Sequence, residues 1–190
     1  MKKIQFLDLR EIMNHRMVYP DTVKQEGDIE IGESNNYIDD KTFFFDQVIT
    51  EKNVRCVFQR NNKKYDNVIC SGQVLDVKES YIKKIIIVGF CCWGWFKEDF
   101  YLECLDGTVE KAKAYFSDAG WLLAESGDCC YSVENKLYTD CCKILCNIKL
   151  KTGGGYIYYY ITEFKEVKAV KKIIFPDNCL MHIFAITIEN

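Results

Sequence analysis

The carboxy-terminal residues 175–189 constrain the fold of this 190-residue chain more than any other segment. A turn of Pro176, Asp177 and Asn178 leads into an unbroken apolar run, rich in β-branched side chains, that continues almost to the last residue. Such a run is typical of a strand that is buried on both faces. We therefore expect this strand to lie in the core. A domain that needs its last strand is usually one closed β unit.

Period-two patterns recur along the rest of the chain and predict roughly eight to ten strands. Asp106 and Gly107 separate two alternating segments and predict the clearest hairpin, since this dipeptide tolerates the positive φ of a tight turn. Residues 153–155, all glycine, predict another reversal of the chain. Residues 7–17, and a spacing of three within residues 164–170, leave room for at most one or two short helices.

These patterns together predict an all-β fold, an antiparallel β-sandwich. No linker rich in Pro or Ser divides the sequence, which has only two prolines. We therefore expect residues 1–190 to form a single domain, since this length suits one large domain.

The charge and hydropathy of the chain exclude two classes of partner. A net charge of −3 disfavours nucleic-acid binding, which needs a basic surface to displace counterions. No segment approaches the length of about 18 apolar residues that spans a bilayer. The amino-terminal residues lack the apolar stretch of a secretory signal. We expect a cytoplasmic protein with no membrane and no nucleic-acid partner.

The eleven cysteines are interpreted as reduced thiols that pack as small hydrophobes. Their number is odd, and neighbours such as Cys91 and Cys92 point to opposite faces of a strand, so they cannot easily bridge each other. Zinc is not expected, because no CxxC knuckle is present. No cofactor is predicted, and a structural calcium stays open as an unspecific alternative on five loop carboxylates, those of Asp39, Asp40, Asp46, Asp66 and Asp118.

The sequence predicts no catalytic residue. It has two histidines, His15 in a polar turn and His182 in the terminal strand, and a strand histidine between Met181 and Ile183 is typical of a hydrogen-bonded core position. No nucleophile elbow, phosphate-binding loop or zinc-protease motif is present. A cysteine nucleophile needs a base beside it, and the sequence does not reveal which histidine lies near which thiol.

Aromatic residues near predicted loops are the candidate binding residues. Trp93 and Trp95 flank Gly94 directly after an apolar strand, and Trp121 follows Asp118 closely. Flat aromatic faces stack on sugar rings, and carboxylates bind hydroxyl groups. The alternative is ordinary packing, because tryptophan is usually largely buried. We predict a ligand site formed by Trp93, Trp95, Asp118 and Trp121.

Four segments together resemble the galactose-binding-like β-sandwich, or jelly-roll, domains that are appended to bacterial glycoside hydrolases and occur in small bacterial proteins. They are residues 65–73, residues 85–90, the hairpin that runs to residues 116–118, and the ending at 176–187. The resemblance implies a jelly roll whose loops carry carbohydrate at one end. Because this fold hosts many unrelated activities, the function it implies is an analogy.

The sequence supports three functional hypotheses. The first is a non-catalytic, carbohydrate-binding-like domain. The second is a protein-interaction or structural domain, monomer or homodimer, whose interface is the stripe of Tyr156, Tyr158 and Tyr160, because exposed tyrosines favour interfaces. The third is a sugar hydrolase, which needs two carboxylates at a defined separation, and nothing in the sequence singles out such a pair.

Overall fold

The computed structural model describes residues 3–19, 30–31, 34–35, 38–119, 142–150 and 153–190. Within these residues the protein is nearly all β, with one short 3-10 helix at Asp40–Thr42, so the all-β prediction is confirmed. Numbered along the chain, the strands are β1 (Ile4–Phe6), β2 (Val18–Tyr19), β3 (Glu30–Ile31), β4 (Ser34–Asn35), β5 (Ile38–Asp39), β6 (Val48–Glu51), β7 (Val54–Val57), β8 (Val68–Ser71), β9 (Val74–Cys91), β10 (Phe96–Cys104), β11 (Val109–Phe116), β12 (Lys143–Leu150), β13 (Gly153–Ile174) and β14 (Asp177–Glu189).

The long strands β9 and β13 pair antiparallel and form the centre of the sheet. Residues 85–88 of β9 are fully buried. Since successive side chains of a strand point to opposite faces, four buried neighbours in a row mean that both faces of the sheet are covered here. The apolar, β-branched sequence of this segment suits such a position.

Strand β14 lies between β1 and β9 and also pairs with β8. Its residues 181–188 are all buried. The prediction that the carboxy-terminal run is a strand inside the core is therefore confirmed. Because β14 pairs with β1, β8 and β9, its own side chains meet residues from several parts of the chain. His182 is one of these β14 side chains, and it pairs with both β8 and β9.

The hairpin predicted at Asp106 and Gly107 is confirmed, and it joins β10 to β11. Gly107 has a φ of 85°, which is the conformation that favours glycine. The Asp106 carboxylate accepts hydrogen bonds from the backbone N–H and the hydroxyl of Thr108, at 2.9 and 2.6 Å. Beyond the turn, β11 leads to Asp118, one of the predicted site residues.

Three local predictions agree with the structure only in part or not at all. The chain reverses before Gly153, since β12 and β13 pair antiparallel, but the glycines at 153–155 themselves lie in β13 and pair with residues 148–150 of β12. Residues 164–170, whose spacing of three allowed a helix, also belong to β13. Residues 9–13 form one isolated turn, in which the N–H groups of Ile12 and Met13 donate to the Leu9 carbonyl. Pairing with β9 and β12 outweighs the weak local preference of the two β13 segments.

Ten strands form one large curled sheet, and β3–β4 and β6–β7 form two separate ribbons. Most pairs are antiparallel, but β2 and β5 are parallel. This mixed topology does not establish a jelly roll. One hydrophobic cluster extends from Leu7 to Ile188 and takes in side chains from most of the long strands.

The eight cysteines of the described residues form no disulfide with one another. Six of them are buried, as expected for thiols that pack as small hydrophobes. In the same part of the chain, no helix has the length and apolar character that crossing a membrane requires.

Candidate functional site

Trp93 and Trp95 project from the loop that joins β9 to β10, and we call residues 92–95 the tryptophan loop. Their side chains are 59% and 46% exposed, although tryptophan is usually largely buried. Trp93 has a φ of 63° and Gly94 a φ of 134°. A large side chain rarely adopts a positive φ, so this backbone must be held by its surroundings.

Asp118 fixes the backbone of the tryptophan loop by a hydrogen bond. Its Oδ2 accepts the backbone N–H of Trp93 at 2.6 Å, and the residue is only 5% exposed. A charge-assisted hydrogen bond of this kind is stronger than one between neutral groups. The carboxylate therefore fixes the strained residue whose side chain points to solvent.

The end of β11 brings Asp118 to this position. Residues 117–119 run parallel to the end of β9, where the Cys91 N–H donates to the Ser117 carbonyl at 2.9 Å. The Tyr158 hydroxyl donates to the Asp118 carbonyl at 3.2 Å, which ties the segment to β13 as well. The site is thus supported by the two longest strands of the sheet.

Trp95 packs edge-on against Tyr115 of β11, with ring centroids 5.9 Å apart. Tyr115 is buried, so it supports the tryptophan from the protein side. The Lys97 ammonium lies 6.0 Å from the centre of the same tyrosine ring. One edge of Trp95 is therefore anchored, and about half of its surface stays in contact with solvent.

Two of the four predicted site residues thus touch each other, Trp93 and Asp118, and Trp95 lies on the same loop. Trp121 lies outside the described residues. The predicted role of Asp118 as a partner for ligand hydroxyls stays a prediction, because the contact that the structure gives its Oδ2 is to the Trp93 backbone.

A second feature begins at Cys92, the first residue of the tryptophan loop. The Sγ atom of Cys92 lies 3.3 Å from Nε2 of His182, and Nδ1 of His182 lies 3.0 Å from Oδ1 of Asn67. We call these three residues the Cys–His–Asn array. Cys92 directly follows β9, His182 is in β14, and Asn67 precedes β8.

The hydrogen bonds around Asn67 set the protonation of the array. Its Nδ2 donates to Oδ1 of Asp66 at 2.9 Å, so its Oδ1 must be the atom that faces both His182 and Nδ1 of His15. An oxygen accepts, and His182 therefore carries its proton on Nδ1. The lone pair on Nε2 then points at the Cys92 thiol.

Burial keeps both ends of this contact neutral. It lowers the pKa of His182 to about 3, with a smaller contribution from His15, and Phe90 stacks on the imidazole at 5.2 Å. Burial also raises the pKa of the Cys92 thiol to about 12, and the negative charge of Asp118 adds to this. The resting pair is a thiol that donates to an imidazole.

Asp66, which is fully buried, anchors the array from its other side. Its two carboxylate oxygens accept the backbone N–H groups of Met17 and Val18, each at 2.9 Å, and Arg60 lies 3.7 Å away. Burial raises the pKa of Asp66 to about 6, although these hydrogen bonds oppose the rise. Asp66 and His182 are therefore two buried titratable groups joined through one asparagine.

Sequence reasoning placed His182 in a hydrogen-bonded core position but identified neither of its partners. Asn67 and Cys92 are separated from it by 115 and 90 residues. No local signal singled out Asn67, since Asp and Asn are common in the turns that bound strands.

The structure does not group the proposed calcium ligands. Among the described ranges, no three His, Cys, Asp or Glu side chains lie where they could share a metal ion. Asp39 accepts the Lys41 N–H, Asp46 pairs with Arg10, and Asp66 and Asp118 bind backbone N–H groups.

Comparison with known proteins adds no assignment. No protein-family model matches the chain, and no curated protein matches it by sequence. The galactose-binding resemblance therefore stays a prediction, and the geometry of the site is the basis for assigning a function.

Proposed function

We propose that this protein binds carbohydrate on its tryptophan loop and does not cleave it. Trp93 and Trp95 would supply the stacking surface, and Asp118 and Trp121 complete the predicted site. A galactose-binding-like β-sandwich and a cytoplasmic location belong to the same proposal.

The observation that carries the proposal is the exposure of two tryptophans on a fixed backbone. An exposed tryptophan forgoes the favourable free energy of burial, which is about 2–3 kcal/mol for a large apolar side chain. Here the exposed rings are also held in place, since Asp118 binds the Trp93 N–H and Tyr115 supports Trp95. A surface ordered before binding loses less entropy when a ligand arrives.

The tyrosine stripe no longer supports the interaction-domain hypothesis. Tyr158 and Tyr160 are 0% and 7% exposed, and Tyr156 is partly buried against the core. These side chains pack inside the molecule and offer little area to a partner. The tryptophan loop is therefore the better candidate surface for a ligand.

The test is binding to a glycan array, followed by calorimetry on the sugar that binds best. We expect Trp95→Ala to weaken binding by about 10- to 100-fold, since truncating a central aromatic contact removes roughly 1.4–2.7 kcal/mol. The free energy of unfolding should change little, because the side chain is half exposed.

Tyr81→Ala is the matched control. Tyr81 is an aromatic residue of β9 that is 54% exposed, and it lies well before the loop along the same strand. Its replacement should leave sugar affinity unchanged. If no sugar binds the intact protein, or if both variants weaken binding equally, the carbohydrate proposal fails.

A further inference from the structure

The Cys–His–Asn array has the arrangement of a nucleophile, a base and a residue that orients the base. The thiol of Cys92 donates toward Nε2 of His182 at 3.3 Å, and the opposite ring nitrogen donates to Asn67 at 3.0 Å. Cysteine–histidine–asparagine sets of this kind carry acyl transfer on unrelated folds and are recognised by geometry.

We propose that Cys92 is an acyl-transfer nucleophile, with His182 as its general base, and that the substrate class is small esters or thioesters. Asn67 is a positioning residue that holds the imidazole in the required tautomer. This inference does not depend on sugar binding at the tryptophan loop, and it assigns an activity where the sequence predicts none.

The array is preorganised in three ways. All three residues lie in or beside strands, so the backbone fixes their separation. The amide of Asn67 cannot flip, because its Nδ2 already donates to Asp66 and lies 3.4 Å from the His15 carbonyl. Phe90 stacks on the His182 ring with an interplanar angle of 25°. Catalytic groups work best when their own orientation needs no adjustment.

The proposed reaction conserves protons and electrons. Sγ of Cys92 attacks the carbonyl carbon as its proton passes to Nε2 of His182, and a C–S bond forms. The imidazolium returns that proton to the leaving alcohol or thiol as the bond to it breaks. Water then attacks the acyl-enzyme while His182 takes a proton from it, and that proton goes to the departing thiolate. In the closed state burial disfavours both the imidazolium and the thiolate, so the proton transfer requires an open form in which solvent reduces the burial of His182 and Cys92.

Access to the thiol depends on the tryptophan loop. Cys92 is 3% exposed, and the next residue, Trp93, is 59% exposed. The Trp93 N–H is bound by Asp118, and residues 93 and 94 belong to no strand, so fewer hydrogen bonds hold this backbone than hold a regular strand. We therefore infer that a substrate reaches Sγ when this hydrogen bond opens.

Cys104 provides an internal control in the same molecule. It is 2% exposed and lies in a strand, but its thiol contacts the Leu102 carbonyl at 3.8 Å and no imidazole of the described residues. Iodoacetamide labelling of the native protein, mapped by mass spectrometry, compares the two buried thiols without any mutation. We expect Cys92 to react about 100-fold faster than Cys104, the contribution typical of general-base catalysis.

Two substitutions separate catalysis from folding. In His182→Gln or Asn67→Ala, labelling of Cys92 should slow toward the rate of Cys104, and its pH dependence should change. A variant that is merely less stable would instead label both thiols faster, because both become exposed on unfolding. Asp118→Ala should speed the labelling of Cys92 alone, since it releases the Trp93 N–H.

Hydrolysis of p-nitrophenyl acetate measures the activity itself. Turnover should vanish in Cys92→Ala and persist in Cys179→Ser, which removes the exposed thiol. The proposal is overturned if Cys92 and Cys104 label at the same rate in the native protein, if His182→Gln leaves the Cys92 rate unchanged, or if Cys92→Ala retains the wild-type hydrolysis rate.

Discussion

Replacement of Gly89 by alanine is expected to lower the free energy of unfolding by about 3 kcal/mol or more. A Cβ atom at this position would clash with the His182 carbonyl oxygen and would lie 3.2 Å from its carbonyl carbon. Both atoms are backbone, so they cannot move aside as a flexible side chain would. Strands β9 and β14 would have to separate locally, with loss of ladder hydrogen bonds and close packing.

The pairing around Gly89 explains why the approach is so close. Gly89 faces Ile183 of β14 and Tyr158 of β13, and the register of β14 shifts between Ile183 and Ala185. A bulge places one extra residue on its strand and moves the backbone toward its neighbour. Only a residue without a side chain leaves room for that backbone.

Gly154→Ala is the control for this prediction. Gly154 also lies in a paired strand, but a Cβ atom there would meet nothing within 4 Å. We expect a change between zero and a gain of about 1 kcal/mol, because alanine has fewer unfolded conformations than glycine. Urea unfolding followed by tryptophan fluorescence compares the variants. Equal stabilities for the two would show that the close approach of the His182 backbone to Gly89 does not destabilise the alanine variant.

The same contact links stability to the Cys–His–Asn array. The carbonyl that Gly89 accommodates belongs to His182, and the ring of that residue contacts Cys92. A displaced β14 would move the imidazole away from the thiol. We therefore expect any Gly89→Ala protein that still folds to lose the difference in labelling between Cys92 and Cys104.

The sequence could predict the elements whose signals are local. The carboxy-terminal run is buried on both faces and has the composition of such a strand. Asp106 and Gly107 specify their turn through a carboxylate and a positive φ, and both features belong to the residue types. For these elements, the residues that show the pattern are also the residues that form the contact.

The candidate sites depend on contacts that no local pattern encodes. The exposure of Trp93 follows from a hydrogen bond to Asp118, 25 residues further along the chain. The partners of His182 come from two other parts of the sheet, and periodicity indicates which face a side chain occupies but not what it meets there. Residues 164–170 show the same limit, because pairing with β9 decides their conformation.

The combined contribution of His182 and Asp66 to stability is expected to change little between pH 4 and 6, because these two buried groups oppose each other. His182 has its pKa lowered from 6.5 to about 3, so its contribution is complete above pH 6.5 and is lost as the pH falls below that value. Asp66 has its pKa raised from 3.8 to about 6, so its contribution is complete below pH 3.8 and is lost as the pH rises toward 6.

Between pH 4 and 6 the two contributions change with pH at similar rates and in opposite directions, although their full sizes differ. Over their whole ranges they amount to on the order of 5 kcal/mol for His182 and 3 kcal/mol for Asp66. Near pH 5 the unfolded chain binds a proton at His182 that the folded protein does not, and the folded protein binds one at Asp66 that the unfolded chain does not. Folding then releases one proton and takes up another, which leaves little net dependence on pH.

Single substitutions should reveal separately how His182 and Asp66 make the free energy of unfolding depend on pH. In Asp66→Asn only the histidine remains, so the free energy of unfolding should rise by several kcal/mol from pH 4 to 6.5. In His182→Gln only the aspartate remains, and the free energy should fall over the same range. Urea titrations at several pH values measure both, and differences from wild type cancel the titration of exposed carboxylates. If the free energy of unfolding changed with pH in the same way in all three proteins, Asp66 and His182 would have ordinary pKa values in the folded state. The pair joined by Asn67 would then not be neutral in the folded protein near pH 5.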